Sequence, residues 1–255
     1  MKLQPGTLVA ERFRLERQLG EGGMGSVWLA HHVKLEMACA VKFIHADVAD
    51  AEGVRERFER EAKIAGQLKS PHVVQVLDYG IEDGRPYIAM ELLDGEDLAK
   101  RLAKRGRLSA QETVAIVAQI ARALAKAHAA GLVHRDLKPE NVFLVRDEEH
   151  ELVKVLDFGI AKAKTPIDTR TKTGALMGTP RFMSPEQAQG EKTLDHRSDL
   201  WSLGVITYRC VVGHLPFDSD AIGDLMMRII VHPLPVPSLI TPGLPPSFDA
   251  WWQRA

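Results

Sequence analysis

The stretch Val133-His134-Arg135-Asp136-Leu137-Lys138-Pro139-Glu140-Asn141 places the tightest local limit on how this chain can fold. It follows a long segment of apolar periodicity that predicts a helix. The Pro139 ring has no N–H and clashes with a preceding turn, so that helix cannot continue through it. The polar side chains therefore sit on a loop, where a rigid scaffold can aim them. Their chemistry is of one kind: Asp136 can accept a hydroxyl proton, Lys138 can neutralise a transferring phosphoryl group, and Asn141 can ligate a hard cation. A merely solvated connection between helix and strand is the simpler alternative at this point.

Three further motifs bear on that choice. Sixteen residues after Asn141 stands Asp157-Phe158-Gly159, and the short apolar runs between predict a hairpin that sets Asp157 opposite Asn141. Upstream, Leu19 to Val27 reads G-x-G-x-x-G-x-V between two predicted strands. Val27-Trp28-Leu29-Ala30 has the pattern of a strand, which argues against the strand–glycine–helix context of dinucleotide binding. Glycines of this kind let backbone N–H groups approach phosphate oxygens, a flexible hairpin being the alternative. Lys42 lies in a strand-like run of apolar neighbours, where alternation alone would allow it to face solvent.

Taken together, H-R-D-L-x-x-x-N, D-F-G, the glycine pattern and Cys39-Ala40-Val41-Lys42 resemble the Hanks-type protein kinases, most closely their bacterial serine/threonine members. The resemblance extends from Leu19 to Phe217 in the family's order. It implies an α+β, two-lobed fold, with a small β-rich lobe and one main helix over residues 1–93 and a larger, mostly helical lobe over residues 94–255. It also implies ATP and Mg2+, or Mn2+ in its place, as cofactors. Asp136 would accept the substrate proton, Lys138 would support the transferring group, and Asn141 and Asp157 would hold the metal. Leu19, Gly20, Glu21, Gly22, Gly23, Met24, Gly25, Ser26 and Val27 would cover the phosphates. Lys42 would grip the phosphates, oriented by Glu61 on a helix predicted from about Glu52 to Leu68, with Glu59 the less favoured choice. Backbone groups of Glu91 and Leu93 would bind adenine behind Met90. Asp97 would reach the ribose, an exposed acid in a helix's first turn being the equal alternative. His134 would pack beneath Phe158.

Between Gly159 and Ser184-Pro185-Glu186 runs a segment too long for an ordinary connection. By resemblance it is an activation segment, with Thr171 and Thr173 as phosphoacceptors and Arg135, Lys162 and Arg57 as the phosphate pocket. Plain polar loop residues are the alternative. Lys138 and Gly178-Thr179-Pro180-Arg181-Phe182 resemble serine/threonine rather than tyrosine kinases.

Composition narrows the classes. A formal charge of −1 gives no nucleic-acid footprint, no apolar run reaches membrane-span length, and two distant cysteines, Cys39 and Cys210, exclude a disulfide framework. Both thiols are expected buried, in a reducing, cytoplasmic setting. Ser109 and Glu112 form a capping box that opens a helix whose expected core face is Val114, Val117, Ile120, Ala121 and Leu124. His128, on the same helix, has no second ligand at helical spacing and is expected to pack. The chain ends at Trp251-Trp252-Gln253-Arg254-Ala255, where the family continues. That predicts missing final helices, tryptophans partly uncovered, Glu186 without its cation, and reduced stability. The resemblance further implies protein substrates, a transient kinase-domain dimer for phosphorylation in trans, and membrane tethering through a region beyond this chain. Two readings compete with an active kinase: a nucleotide-binding scaffold without turnover, and a kinase of small molecules.

Overall fold

Short apolar runs in the first ninety or so residues pair into one antiparallel sheet. A computed structural model describes residues 2–22, 25–45, 54–146, 151–158, 180–191 and 193–254, without the side chains of residues 54 and 57. Gly23, Met24, Lys162, Thr171, Thr173 and the Arg57 side chain therefore lie outside the described residues. The sheet contains β1 (Leu8–Val9), β2 (Phe13–Gly22), β3 (Gly25–His32), β4 (Met37–Ile44), β5 (Val76–Glu82) and β6 (Arg85–Glu91), in the order β1-β2-β3-β4-β6-β5.

Strand alternation sends successive side chains to opposite faces. Cys39, Val41 and Phe43 of β4 join Phe13, Leu15 and Trp28 in a core on one face. Ala40 and Ile44 turn to the other, where Phe58, Ala62 and Ala65 of helix α1 (Val54–Gln67) complete a core with Ile88 and Met90. Lys42 shares the face of Ala40 and Ile44, so it points to the helix and the cleft instead of solvent. Burial also pushes the Cys39 and Cys210 thiols up, to about 11 and about 12, as expected of inert packing residues.

The second lobe begins with β7 (Gly95–Asp97) and α2 (Leu98–Arg105). Next come α3 (Ala110–Ala129), a single 3-10 turn at Pro139–Asn141, and the hairpin β8 (Val142–Val145) and β9 (Leu152–Val155). Beyond Pro180 lie α4 (Pro185–Ala188), α5 (Arg197–Val212), α6 (Ile222–Val231), α7 (Pro237–Ile240) and α8 (Pro246–Trp252). Helix α5 is buried on nearly every side and stops at Gly213, whose φ of 94° is the left-handed cap that a side chain would resist.

Two expectations need correction. The core face of α3 is Thr113, Ile116, Ile120, Ala123, Leu124 and Ala127, while Val114 and Ala121 are exposed. Small apolar residues occur on both faces of this helix, so periodicity alone placed the stripe about one residue out of phase. Trp252 is also better covered than expected, whereas Trp251 stays partly exposed as expected. Trp252 is 2% exposed, lies against Tyr208 at 5.1 Å and donates its ring N–H to Pro235 O, while Trp251 stacks on Phe248.

The capping box forms as expected: Ser109 Oγ accepts from Glu112 N at 3.2 Å, and Glu112 Oε2 accepts from Ser109 N at 3.0 Å. The Arg105 guanidinium, together with these bonds, holds the Glu112 carboxyl well down, from the ordinary 4.5 to about 2. A depressed carboxylate pKa gives stability that is complete above the ordinary value and lost as pH falls towards the folded value. In thermal melts, Glu112→Gln should therefore flatten the decline in midpoint on acidification from about pH 5 to about pH 2.

Candidate active site

The hairpin sets the geometry of the site. Val142 pairs with Val155, and Leu156 N donates to Asn141 O at 2.9 Å, so Asn141 and Asp157 leave the hairpin at the same end. Asn141 Nδ2 donates to Asp136 O at 2.8 Å, which leaves Oδ1 as the amide's ligand atom. Lys138 Nζ lies 3.1 Å from Asp136 Oδ2. Lys42 Nζ reaches across from β4 to within 2.7 Å of Asp157 Oδ2. Lys42, Asp136, Lys138, Asn141 and Asp157, scattered through the sequence, are thereby brought to one cleft between the lobes.

The loop that carries Asp136 is held from below. Asp199, at the start of α5 and fully buried, accepts from His134 N and Arg135 N at 2.8 Å each, and from His128 Nε2 at 2.7 Å. Arg135 has φ 60° and Asp157 φ 55°, left-handed backbone that costs a non-glycine residue about 1–2 kcal/mol. For Arg135 the strain is held on both sides, with the N–H on Asp199 and the C=O accepting from Gln187 Nε2 at 2.9 Å. His134 is spent structurally, as expected: Nε2 donates to Leu156 O, Nδ1 accepts from Asp136 N, and the ring packs 4.9 Å from Phe158.

The expected Lys42–Glu61 pair is not what forms. Lys42 is taken by Asp157, and the buried Glu61 carboxylate is met by Arg135 Nη1 at 3.2 Å. A carboxylate 3% exposed needs a cation, and the forked guanidinium supplies one. Arg135 therefore faces Glu61, while the rest of its expected phosphate pocket, Lys162 and the Arg57 side chain, lies outside the described residues. Among the described residues Glu186 pairs with no cation, as expected, and its carboxylate accepts instead from Ser198 Oγ at 2.9 Å.

In the glycine-rich hairpin, Gly20 pairs with Val27, Glu21 with Ser26 and Gly22 with Gly25. A Cβ at Gly20 or Gly22 would meet open space, in keeping with a cover over a ligand, but one at Gly25 would collide with the Phe43 carbonyl. Gly25 is therefore required by the close approach of β4. Ser26 Oγ accepts from the Trp28 ring at 3.1 Å, and Glu21 accepts from Gln18. At the hinge, Glu91 N donates to Gln75 O at 3.0 Å, and Leu93 packs against the main core. Met90 lines a small cavity with Ala65, Val73, Ile88, Asp157 and Phe158. Asp97 caps α2, with Oδ1 accepting from Lys100 N at 2.8 Å and Oδ2 2.9 Å from Lys100 Nζ. That is close to the helix-acid alternative.

Residues 13–239 match the protein kinase domain family. The chain belongs to the protein kinase family. Among its relatives, the serine/threonine-protein kinase PknH of Mycobacterium bovis is 42% identical over 238 residues, which cover 93% of this chain and 39% of its own. Serine/threonine-protein kinase pkn3 of Myxococcus xanthus is 44% identical over 236 residues, 90% of this chain and 43% of its own. The crystal structure of the Mycobacterium tuberculosis PknI kinase domain aligns with a TM-score of 0.80 at 29% identity, covering all of this chain and 90% of that one. The chain thus spans about two-fifths of the length of the curated relatives it matches. The kinase fold and the bacterial serine/threonine branch expected from the motifs are the ones found.

Sequence reasoning missed Gln187, His128 as a partner of Asp199, and Lys154. Gln187 had a signal: it occupies the third position of a capping box opened by Ser184. Because Asp199 satisfies two buried backbone N–H groups at once, Asp199→Asn sets one of them against an amide NH2, costing about 1–3 kcal/mol. The expected outcome is a thermal midpoint lower by about 2–10 °C together with slower phosphoryl transfer, read by melting and kinase assay on one preparation.

Proposed function

We propose that this chain transfers the γ-phosphoryl group of ATP to serine and threonine hydroxyls of proteins, and that it activates itself by phosphorylating its own activation segment in a bacterial signalling pathway. The observation that carries the reading is the convergence of Asp136, Lys138, Asn141 and Asp157 beneath Lys42, which bridges the lobes at 2.7 Å. Family membership supports this substrate class, because the relatives are named serine/threonine-protein kinases.

Asp136 orients the acceptor hydroxyl and takes its proton. Lys138, 3.1 Å from Asp136, lies where it can neutralise charge developing on the phosphoryl oxygens. Lys42 holds phosphate oxygens once its ammonium leaves Asp157, and Glu61 orients it by exchanging Arg135 for Lys42. Arg135 is then released towards Thr171 and Thr173, where a phosphate would order the segment. Asn141 Oδ1 and the Asp157 carboxylate are hard oxygen donors of the kind Mg2+ takes alongside phosphate oxygens. Bound Mg2+ would neutralise phosphate charge and hold the transferring group in line. Adenine would lie against the hinge at Glu91 and Leu93. A transient dimer would allow phosphorylation in trans. No helix among the described residues is long and apolar enough to cross a membrane. A cytoplasmic setting for this domain is supported by its two buried free thiols, which suit a reducing compartment.

Phosphopeptide mass spectrometry after incubation with Mg2+ and ATP tests this. Phosphate on Thr171 or Thr173 is expected in the parent, and Asp136→Asn should slow its appearance by a factor of about 100 to 10,000. Unmodified parent protein that still binds Mg-ADP would replace the proposal with a nucleotide-binding scaffold.

A further inference from the structure

Lys154 carries no role in the mechanism above, yet it makes the tightest polar contact at the hinge. It lies in β9, three residues before Asp157, and its Nζ is 2.7 Å from Glu91 Oε1. The Lys154 side chain is 12% exposed and that of Glu91 28%, so neither charge is freely solvated. The same Glu91 oxygen accepts from Gln75 N at 2.8 Å, and Glu91 N donates to Gln75 O at 3.0 Å. Glu91 is thereby clamped through both its backbone and its carboxylate.

The neighbouring strand extends this joint. Val73 forms a parallel bridge with Val155, Val74 N donates to Val155 O at 3.1 Å, and Val155 N donates to His72 O at 2.9 Å. Residues 72–75 therefore run between the end of β6 in the first lobe and β9 in the second. Lys154 is the one charged cross-link in that joint among the described residues, and it connects the hinge to the strand that delivers Asp157.

We propose that Lys154 is a positioning residue for nucleotide binding, a strut that holds the backbone at Glu91 in fixed relation to Asp157. The proposal rests on the nucleotide reading above. A base read by backbone groups finds no side chain that can adjust to it, so the hinge must already be in place when the base arrives. Ordering it at the moment of binding would subtract directly from affinity. The strut spans the two ends of one ligand, with the base at Glu91 and the phosphates at Lys42 and Asp157. Grip on the base is felt equally in the ground and transition states, so its loss appears in KM and leaves kcat nearly unchanged.

The experiment compares the parent with Lys154→Met, Lys154→Arg and Glu91→Gln. Binding of Mg-ADP is measured by calorimetry, KM for ATP and kcat by steady-state assay, and stability by melting. Lys154→Met should weaken Mg-ADP and raise KM about three- to tenfold, with kcat within about twofold of the parent. Lys154→Arg should restore most of the loss, since a guanidinium reaches the same carboxylate. Glu91→Gln keeps an acceptor for Gln75 N but no charge, and should fall between parent and Lys154→Met. It also provides the decisive reading if the methionine variant does not fold. A lowered midpoint with unchanged Kd and KM would make the pair merely structural and overturn the proposal. A parent that binds Mg-ADP no better than its variants would overturn the strut alone, whereas a parent that does not bind Mg-ADP would overturn the nucleotide reading and the strut together.

Discussion

The catalytic loop of this kinase hangs from one buried carboxylate. Asp199 has no exposure and spends both oxygens on the loop and on His128, accepting from His134 N, Arg135 N and the imidazole. A charge so placed is tolerable only because every lone pair that matters is met. In return, it fixes a stretch of backbone with a residue in the left-handed region at Arg135. Asp136 follows directly in the chain, so its position inherits that fixity. Gln187 reinforces the same point from the opposite side, linking the short helix after Ser184 to the carbonyl of Arg135.

Charge in the cleft is organised in couples. Lys42 is matched with Asp157, Lys138 with Asp136 and Arg135 with Glu61. Lys138 and Asp136 are neighbours on one loop, whereas the other two couples, Lys42 with Asp157 and Arg135 with Glu61, join distant parts of the chain and bridge the lobes. Lys42, Lys138, Arg135, Asp136 and Asp157, the charged groups among the described residues that phosphate or metal would call upon, are therefore each already paired with a neighbour. Exchange of partners costs less than exposing a bare charge in a partly dry site, because each step replaces one ion pair by another. The joint formed by residues 72–75, Glu91 and β9 has no such freedom, being built mostly of backbone hydrogen bonds.

Much of the site was legible before any coordinates. The His134 to Asn141 loop, the Asp157 motif and Lys42 are local signatures whose spacing follows from a helix, a hairpin and a strand, and all three elements occur where periodicity placed them. The Ser109–Glu112 capping box is equally local. What was misread involved choice among chemically similar candidates at long range. Glu61 is the buried acid of α1 where Glu59 is exposed, but its partner depends on where α1 sits relative to Arg135, seventy-four residues away. The phase of α3 failed for a related reason, since Val114 and Ile116 are equally apolar and only packing against α5 and β9 decides between them.

The sequence by itself determined the family, the lobe order and the candidate site residues, because these depend on residue type and short spacing: a proline that ends a helix, glycines that admit a close backbone, an acid and an amide at the same end of a hairpin. Only the tertiary structure decided which charge meets which. Lys42 meets Asp157, Glu61 meets Arg135, and Lys154 meets Glu91. The physical reason is that ion pairing is non-specific in chemistry and steep in distance, so any lysine or arginine suits any carboxylate until the fold brings one of them within about 3–4 Å.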